Sequence, residues 1–513
     1  MKLFSAEQIR EIDAFTIRHE PIASEQLMER AAAACFNEIK GLYPRGTRFL
    51  VFCGCGNNGG DGLALARLLN DSAYPAKALF VRHQPKPGPD PALNLNRLLQ
   101  RYPQHVQEIQ NASELNSIAP DSFDVLVDAL LGTGLNKKIE GLLEDCINWI
   151  NNSGIRKVIS IDIPSGLFAD RSSAGNKAIV KADLVLSFQF PKLAFLLAEN
   201  ADYVRAFRIL DIGLSPEAIR STRSIYFFTG PELVSALLKP RSKFSHKGSF
   251  GHALLLAGSR GKSGSALLAA RACMRSGCGL LSLHTTRATL NALLRTLPEA
   301  MGEADTNPDH ISEIEKPERF TALAFGPGVG LHEETQRVLK KILHYAGENL
   351  IIDADGLNIL SENKTWLGFL KANTILTPHV KEFDRLTEKH SDDFSRLDSL
   401  RQFAIKCQCI VVLKSAYTAV AMPDGNVFFN SSGNPGLAKA GSGDALTGIL
   451  LGLLSRGYSA AQSALIGVYV HGLAADLCLP DYSVESMLIS DVIEKLPKAF
   501  LHLEQSIPEK DLD

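Results

Sequence analysis

The sequence predicts an α/β protein with two tandem domains, of which the first is built on a doubly wound parallel sheet and the second is a further α/β domain. Three observations lead to this class. The 513 residues exceed the usual size of one domain. Short apolar runs alternate with helical patterns in both halves, and most of these runs end at glycine, proline or a polar turn. The pattern loosens around residues 215–224, so we assign the first domain to residues 1–220 and the second to 221–513.

Five strands are predicted in the first half, because each is a short apolar run bounded by turn residues. They are Arg48–Cys53, Ala76–Val81, Phe123–Val127, Lys157–Ile161 and Leu184–Phe188. Helical spacing of leucines over Asp61–Asn70 separates the first two. Strands joined by helices take right-handed crossovers, so these strands should lie parallel with their carboxyl ends on one edge.

The same alternation restarts in the second half. The predicted strands are His252–Ala257, Ala322–Phe325, Leu350–Asp353, Asn373–Leu376 and Ile410–Leu413. A helix is expected from the GSRGKSGS segment through Gly277. The turns that follow these strands should form a second ligand-binding edge.

The composition excludes several classes of function. Lys and Arg total 54 against 56 Asp and Glu, so we expect neither nucleic acid nor an anionic membrane surface as a partner. No apolar run is long enough for a membrane span, and the first residues lack the apolar stretch of a secretory signal. The nine cysteines are odd in number and scattered, which indicates free thiols and a cytoplasmic protein.

A glycine-rich segment, GCGNNGGDG, follows the first strand and opens a helix. Gly54, Gly56 and Gly59 match G-x-G-x-x-G, in which glycines let the backbone approach a pyrophosphate at a helix N-terminus. This predicts a Rossmann-like first domain. Arg82 and His83 stand where a dinucleotide dehydrogenase carries an acidic residue for the ribose, so that activity fits poorly.

Other polar residues follow neighbouring strands in this half and should converge on one rim of the sheet. They are Asn58, Asp61, Asp128, Asp162 and Ser165. Short oxygen-bearing side chains at such a rim hold a hard cation or a polar substrate. The alternative is purely structural, with Asp61 capping a helix and Asp128 and Asp162 forming turns.

Three motifs in order, NNGGDG, VDALLGTG and SIDIPSGL, resemble the YjeF N-terminal family of NAD(P)H-hydrate epimerases over residues 1–215. The resemblance implies that R and S hydrates are interconverted at C6 of the reduced ring, with Asp162 as acid/base. It implies a potassium ion on Asn58, Asp128 and Ser165. The substrate-binding residues that it implies are Asn57, Asn58, Gly59, Gly60, Asp61, Gly132, Thr133, Gly134, Leu135, Asn136, Lys137, Lys138 and Asp162.

The sharpest chemical signal of the second half is AGSGDALTGILLGLL. Gly441, Ser442 and Gly443 precede an apolar helix, so their backbone N–H groups should form an anion hole. Asp444 follows directly and is placed to accept a proton from a substrate hydroxyl during phosphoryl transfer. The alternative is that Asp444 only caps the helix.

The GSGD helix resembles the ribokinase superfamily and predicts a ribokinase-like second domain. Within that superfamily, the segment Lys247–Leu280 and the motifs FGPGVG, DADGLNIL and LTPHVKEFDRL resemble the ADP/ATP-dependent NAD(P)H-hydrate dehydratases over residues 225–505. The resemblance implies Mg²⁺ with ADP or ATP as co-substrate. It implies hydrate contacts from Ala253, Gly328, His379 and Asp444, and nucleotide contacts from Lys414, Ser415, Ala416, Tyr417, Thr418 and Gly443. A structural role for His379 stays open.

Together the two resemblances imply a bifunctional enzyme that repairs hydrated NADH and NADPH. It would epimerise NADHX and NADPHX and dehydrate the S form, releasing NAD(P)H, phosphate and AMP (or ADP from ATP). ADP or ATP stays open, with ADP favoured by resemblance, and we expect a homo-oligomer. Two alternatives remain: a ribokinase-like small-molecule kinase with a regulatory N-terminal binding domain, and a non-enzymatic N-terminal module.

Overall fold

The structure is a computed structural model that describes residues 1–20 and 22–505. Residues 506–513, the end of the second predicted domain, lie outside the described residues. The chain divides into two compact units, one containing Lys2–Ser224 and the other beginning at Ile225. We refer to them as the N-terminal and C-terminal units and describe each by itself.

The N-terminal unit is organised around a parallel sheet of seven strands, in the order β4-β3-β2-β5-β6-β7-β8. The strands of this unit are β1 Lys2–Leu3, β2 Phe49–Cys53, β3 Ala76–Val81, β4 Val106–Ile109, β5 Val125–Ala129, β6 Lys157–Ile161, β7 Leu184–Phe188 and β8 Phe207–Leu210. The strand order reverses between β2 and β5. Open α/β sheets bind ligands at that switch point, beyond the carboxyl ends of the strands.

Apolar side chains of β2 enter cores on both faces of this sheet. Phe49 and Val51 join one buried cluster, whereas Leu50 and Phe52 join another. A strand buried on both faces reads as a continuous apolar run, which explains why β2 is conspicuous in the sequence. The helices of the unit are α1 Ala6–His19, α2 Ser24–Leu42, α3 Asn57–Asp71, α4 Pro89–Arg101, α5 Leu142–Asn152 and α6 Pro216–Ser221.

The five strands predicted for this half are confirmed, with shifts of up to two residues at their ends. Strands β4 and β8 were not predicted, because both lie at edges of the sheet and are incompletely buried. The first helix after the glycine segment is longer than predicted. It begins at Asn57 with Gly56 as N-cap, so the alternative role of Asp61 as N-cap is wrong.

The C-terminal unit contains one mixed sheet. Its strands are β9 Tyr226–Thr229, β10 His252–Leu256, β11 Leu280–Thr285, β12 Met301–Ala304, β13 Ala322–Phe325, β14 Leu350–Ile352, β15 Ile375–Leu376, β16 Ile410–Leu413, β17 Ala419–Ala421 and β18 Val427–Asn430. They follow the order β9-β18-β17-β16-β15-β14-β13-β10-β11-β12. Strand β17 pairs antiparallel with both β16 and β18, whereas the other described pairs are parallel. The hairpin formed by β16, β17 and β18 thus interrupts an otherwise parallel sheet, and the unit is of the α/β class that the sequence predicts.

The GSGD segment lies at the start of a helix that packs against a second helix of this unit. The helices of this unit are α7 Pro231–Leu237, α8 Ser263–Arg275, α9 Arg287–Thr296, α10 Glu333–Tyr345, α11 Asp355–Glu362, α12 Val380–Leu386, α13 Asp393–Cys407, α14 Ser442–Ser455, α15 Ala460–Asp476 and α16 Ile489–Gln505. Helix α14 packs closely on α8, since a Cβ at Gly448 would lie 2.1 Å from the backbone oxygen of Ala269. Within the described residues no helix, α14 included, combines the length and the apolarity that crossing a bilayer requires.

Candidate active sites

The first site lies at the switch point of the N-terminal sheet and is organised by Asp128 on β5. This carboxylate is fully buried and accepts hydrogen bonds from Ser165 N (2.9 Å), Ser165 Oγ (2.6 Å), Ser160 Oγ (2.8 Å) and Leu130 N (3.2 Å). Burial raises the pKa of Asp128, although the hydrogen bonds from Ser165 and Ser160 oppose that rise. Asp128 thus joins the loop after β5 to the loop after β6.

The three expected cation ligands, Asn58, Asp128 and Ser165, are brought together around Leu131. Asn58 Nδ2 donates to Leu131 O (3.0 Å), and Leu131 N donates to Ser165 Oγ (2.9 Å). The oxygens available are one carboxylate, one hydroxyl, one amide and one backbone carbonyl, which suits a hard monovalent cation. Across the described ranges there is no group of three or more His, Cys, Asp or Glu placed to hold a metal ion.

Two glycines of the G-x-G-x-x-G segment serve backbone packing. A Cβ on Gly54 would lie 2.0 Å from Leu130 O, and one on Gly59 would lie 1.9 Å from Gly54 O. Neither position tolerates a side chain. Gly54 and Gly59 thus make room for neighbouring backbone rather than for the phosphate that we predicted. Of the three glycines of the motif, Gly56, the N-cap of α3, is the one with open space around its missing Cβ.

The predicted substrate-binding loop after β5, residues 132–138, runs from the interior to solvent. A Cβ on Gly132 would lie 3.3 Å from Asn58 Cβ and 3.7 Å from Asp162 Oδ2, so these three residues are neighbours. Lys137 and Lys138 are exposed, as are Gly134 and Asn136, whereas Thr133 and Leu135 are partly buried. Basic side chains at the open end of the loop suit the phosphates of a nucleotide.

Asp162 directly follows β6 and is held in an unusual conformation. Its φ is +65°, in the left-handed region that L-residues other than Asn and Asp rarely occupy. Its Oδ1 lies 2.7 Å from Nζ of Lys192, whose side chain is 1% exposed. Lys192 was not predicted as a site residue, because it stands 30 positions further along the chain in a segment with no recognised motif.

Two further buried carboxyl groups interact with Asp162. Burial and the charge of Asp162 raise the pKa of Asp13 to about 6, although Lys192 opposes the rise. Burial, Asp162 and Asp13 raise the pKa of Asp61 well above its usual range. Asp61 is thus a buried carboxyl group whose ionised form is disfavoured at this site. Asp13 was missed because it lies on α1, far from the strand ends in sequence.

The second site lies at the N-terminus of α14. Gly441 is the N-cap with φ +93°, and Asp444 is the third helical residue, so Asp444 is not the capping residue. Ser442 N donates to Lys439 O (3.3 Å), which removes one N–H from the expected anion hole. Burial raises the pKa of Asp444, with Ser265 and Lys414 opposing and Asp353 adding to the rise. A carboxylate so raised is a better proton acceptor.

A buried ion pair lies directly beside this helix start. Asp353 Oδ1 accepts from Lys414 Nζ (3.0 Å), and its Oδ2 accepts from Thr447 Oγ1 (2.8 Å). Burial lowers the pKa of Lys414, but Asp353 and Glu382 outweigh it, so the pKa is raised and the side chain is cationic. A Cβ on Gly443 would lie 3.3 Å from Lys414 Nζ. The site therefore presents an ammonium to an anion bound at α14.

His379 has the structural role that we left open. It is the N-cap of α12, and its Nδ1 accepts from the backbone N–H of Lys381 (3.1 Å) and Glu382 (3.2 Å). Burial and the charge of Lys414 lower the pKa of His379, so the ring is neutral near pH 7. With Nδ1 accepting, the ring proton is on Nε2, which is then a donor.

Gly328 lies next to the surroundings of Asp444, whereas Ala253 is buried in the apolar core. Gly328 has φ +65°, and a Cβ there would lie 3.2 Å from the Cβ of Ser265, the residue that hydrogen-bonds Asp444. Ala253 is fully buried at the second position of β10, in the apolar core. The loop that borders the site leaves the other end of β10, so the implied hydrate contact of Ala253 has no support in this structure.

The expected nucleotide-binding segment connects β16 to β17 and begins at Lys414. Ser415 and Ala416 are exposed, while Tyr417 and Thr418 are partly buried. Thr418 Oγ1 closes the turn by donating to Ser415 O (3.0 Å). Asp353, Glu382, Thr447 and Ser265 are functional candidates that the sequence analysis missed. Asp353 stood in the DADG motif, which gave no indication of its pairing with Lys414.

Two family models match the chain. The model described as NAD(P)H-hydrate dehydratase matches residues 253–498, and the model of the YjeF-related protein N-terminus matches residues 24–194. The two matched ranges include both sites described above. A protein of either family alone would match only one of them.

Curated relatives match nearly the full length. Proteins named bifunctional NAD(P)H-hydrate repair enzyme Nnr are 34% identical in Thermofilum pendens (98% of this chain, 97% of that protein) and 31% in Moorella thermoacetica (99% and 98%). In Escherichia coli K12 the identity is 31% (92% and 89%). A crystal structure of the ADP/ATP-dependent NAD(P)H-hydrate dehydratase from Bacillus subtilis, co-crystallised with ATP/Mg²⁺, is 32% identical. It covers 54% of this chain and 99% of that chain, with a TM-score of 0.47.

Proposed function

This chain belongs to the family of bifunctional NAD(P)H-hydrate repair enzymes, and from that premise we propose how its two units divide the repair. The N-terminal unit interconverts the R and S hydrates of NADH and NADPH. The C-terminal unit dehydrates the S hydrate at the expense of ADP. A dehydratase specific for one epimer leaves the other unrepaired, so both activities are needed for complete repair.

In the epimerase, Asp162 is the acid/base at C6. The C6 carbon carries both a hydroxyl and the ring nitrogen, so removing the hydroxyl proton allows the C6–N1 bond to break. The electron pair passes to N1, which is conjugated with the carboxamide, and an aldehyde forms. Closure on the opposite face restores the ring, and Asp162 returns the proton. Asp162 Oδ2 borders Gly132 and Asn58, which supports this placement.

We assign the phosphates and sugars of the hydrate to residues 57–61 and 132–138. The exposed Lys137 and Lys138 supply positive charge, and the start of α3 supplies backbone donors. Asp61 is buried in this segment, and burial raises its pKa, which disfavours a negative charge beside phosphate. Asn58, Asp128 and Ser165 are the residues that would hold a potassium ion. Bound there, the ion supplies positive charge near the reacting ring.

In the dehydratase, Asp444 takes the proton of the C6 hydroxyl as that oxygen attacks the terminal phosphoryl group of the nucleotide. The resulting phosphate ester then leaves C6 as inorganic phosphate, driven by the lone pair of N1. Loss of a proton from C5 restores the dihydronicotinamide ring. Phosphate is a far better leaving group than hydroxide, which explains why a nucleotide is consumed. Lys414, held by Asp353, balances charge on the transferred group.

The nucleotide is assigned to residues 414–418 and Gly443, and Gly328 and His379 are assigned to the hydrate. Mg²⁺ usually binds through nucleotide phosphates and one or two carboxylates, and it neutralises phosphate charge when bound. Both oxygens of Asp353 are bonded, to Lys414 and to Thr447, whereas Glu382 accepts a backbone hydrogen bond through Oε2 only (2.8 Å), so Glu382 is the carboxylate that would share the ion. We propose ADP as the natural co-substrate.

The remaining properties follow from the same assignment. All nine cysteines are free thiols in this structure, which supports a reducing, cytoplasmic setting. Association into a homo-oligomer stays a prediction. The substrates are NADHX, NADPHX and ADP or ATP.

The observation that carries the proposal is the presence of one buried-site aspartate in each unit, Asp162 and Asp444, beside a buried lysine. The test is incubation of the full chain with mixed R and S NADHX, with ADP and ATP in parallel, with and without potassium. We expect complete recovery of NADH with ADP, and slower conversion of the R form without potassium. If NADH never recovers while a small alcohol is phosphorylated, the protein is a kinase and the proposal is wrong.

A further inference from the structure

Lys192 is a fully enclosed lysine in the N-terminal unit's site. The whole residue is 0% exposed. Its Nζ donates to Ser187 Oγ (3.0 Å), Phe190 O (3.2 Å) and Phe188 O (3.3 Å), in addition to the ion pair with Asp162 Oδ1 (2.7 Å). Ser187 Oγ in turn donates to Phe190 O (2.8 Å), so it can only accept from the lysine.

These contacts define the role of Lys192. Its Nζ donates to three oxygens and pairs with the carboxylate of Asp162. The residue is fully buried, so it is not exposed to a substrate. Lys192 must act on the reaction through the residue that it binds.

The ion pair distinguishes the two oxygens of Asp162. Oδ1 is held by Lys192 and also lies 3.5 Å from the backbone N of Phe188. Oδ2 borders Gly132, where a Cβ would be 3.7 Å away, beside Asn58. One oxygen is thus fixed from within, and the other faces the loops assigned to substrate. The left-handed backbone of Asp162, φ +65°, maintains this orientation.

We propose that Lys192 is the positioning residue of the epimerase. Its ion pair fixes Oδ1 of Asp162, so that Oδ2 alone exchanges the proton with the C6 hydroxyl. The inference rests on the proposed role of Asp162 as acid/base. It adds a residue that no motif indicated, and it assigns the reactive oxygen.

Lys192 is the cation that is bonded to Asp162 within an acidic part of the site. The charge of Asp162 contributes to the raised pKa of Asp13 on α1 and of Asp61 on α3. Without Lys192, the carboxylate of Asp162 would lose its bonded counter-charge and could turn from the productive orientation.

The test compares three variants in the full chain, with epimerisation of purified R-NADHX as the readout. Lys192→Met keeps the length of the side chain and removes the charge, Asp162→Asn removes the base, and Lys181→Met removes an exposed lysine of the same unit as a matched control. We expect Lys192→Met to lower kcat at least about 100-fold with KM changed less than about threefold, because the phosphate-binding loops are untouched. Lys181→Met should match the parent.

The outcomes separate this inference from the proposed function. If Asp162→Asn keeps its activity, Asp162 is not the base and the proposed function fails. If Asp162→Asn is inactive while Lys192→Met keeps more than about a third of kcat, only the role of Lys192 is wrong. A parallel loss of kcat and of substrate binding would also overturn it, since that indicates a structural role.

A milder variant covers the case in which Lys192→Met does not fold, as judged by circular dichroism and the retained dehydratase activity. Ser187→Ala removes one acceptor of the ammonium and leaves the ion pair. We expect kcat to fall about three- to tenfold at unchanged KM. An unchanged kcat would contradict the proposal.

Discussion

Both units contain a buried lysine paired with an aspartate, but they use the pair differently. In the N-terminal unit, Lys192 binds Asp162, the proposed base itself, at 2.7 Å. In the C-terminal unit, Lys414 binds Asp353 at 3.0 Å, and the proposed base is a different residue, Asp444. The first lysine therefore orients a base, whereas the second is itself oriented by a carboxylate.

The difference follows the chemistry of the two reactions. Epimerisation needs one proton moved and returned at one atom, so a fixed carboxylate suffices. Phosphoryl transfer needs a base and a separate positive charge for the phosphoryl oxygens. Lys414 supplies the positive charge, and Asp444, with its raised pKa, supplies the base.

The largest effect is expected for Asp444→Asn. An amide cannot accept the hydroxyl proton, so dehydratase kcat should fall about 10²- to 10⁴-fold. Nucleotide should still bind, since its contacts are assigned to residues 414–418 and Gly443, and the epimerase should be unchanged. The measurements are steady-state dehydration of S-NADHX and ADP titration by calorimetry. Loss of ADP binding together with the fold would show that Asp444 is structural.

The variant Asp353→Asn measures how much the ion pair between Lys414 and Asp353 contributes to stability. Lys414 would stay buried without its closest carboxylate, so the free energy of unfolding of the C-terminal unit should fall by about 3 kcal/mol. The matched control is Thr447→Val, which removes the other hydrogen bond of Asp353 and should cost about 1 kcal/mol. Chemical denaturation measures both. Equal losses in the two variants would contradict a special role for the ion pair.

Asp13→Asn should stabilise the N-terminal unit at alkaline pH. The pKa of Asp13 is about 6 in the folded state against 3.8 ordinarily, so folding takes up a proton between these values and stability falls as pH rises through them. Asparagine carries no charge, so the variant should be more stable by about 3 kcal/mol at pH 8 and equal at pH 3. The free energy of unfolding of both proteins is measured by denaturant unfolding at pH 8 and pH 3. An equal gain in stability at both pH values would show that the raised pKa of Asp13 is not the cause.

The smallest effect concerns the pH profile of the dehydratase. Asp444 acts as a base only when ionised, and burial raises its pKa. The rate should therefore fall on the acidic side at a higher pH than for an ordinary aspartate. The profile of kcat/KM for S-NADHX measures this limb, with the epimerase rate of the same protein as the reference. A limb at the ordinary aspartate position would contradict the raised pKa.

Much of the fold was predictable, because central strands are buried on both faces and stand out as apolar runs. Strands β2, β10 and β16 are of this kind. Edge strands are different: three of the four residues of β12 are exposed, so its composition resembles a loop. Strand β17 was not predicted, because an apolar run of three residues is too short to be recognised as a strand.

Asp128, Asp162 and Ser165 could be predicted as neighbours, because Asp128 lies near the carboxyl end of β5 and the other two follow β6. Lys192, Asp13 and the Asp353 partner of Lys414 could not, because only folding brings them close. The hydrate contact of Ala253 stays a prediction from the resemblance, and the residue is buried in the apolar core.

The most direct test of two separate bases is the time course of NADH recovery by Asp162→Asn from a mixture of R and S NADHX with ADP. We expect a fast phase equal to the S fraction, at the parent rate, followed by a phase slowed about 10²- to 10⁴-fold or limited by spontaneous epimerisation. Adding the Asp444→Asn protein should restore the second phase. Complete recovery by Asp162→Asn alone, at the parent rate, would contradict the account.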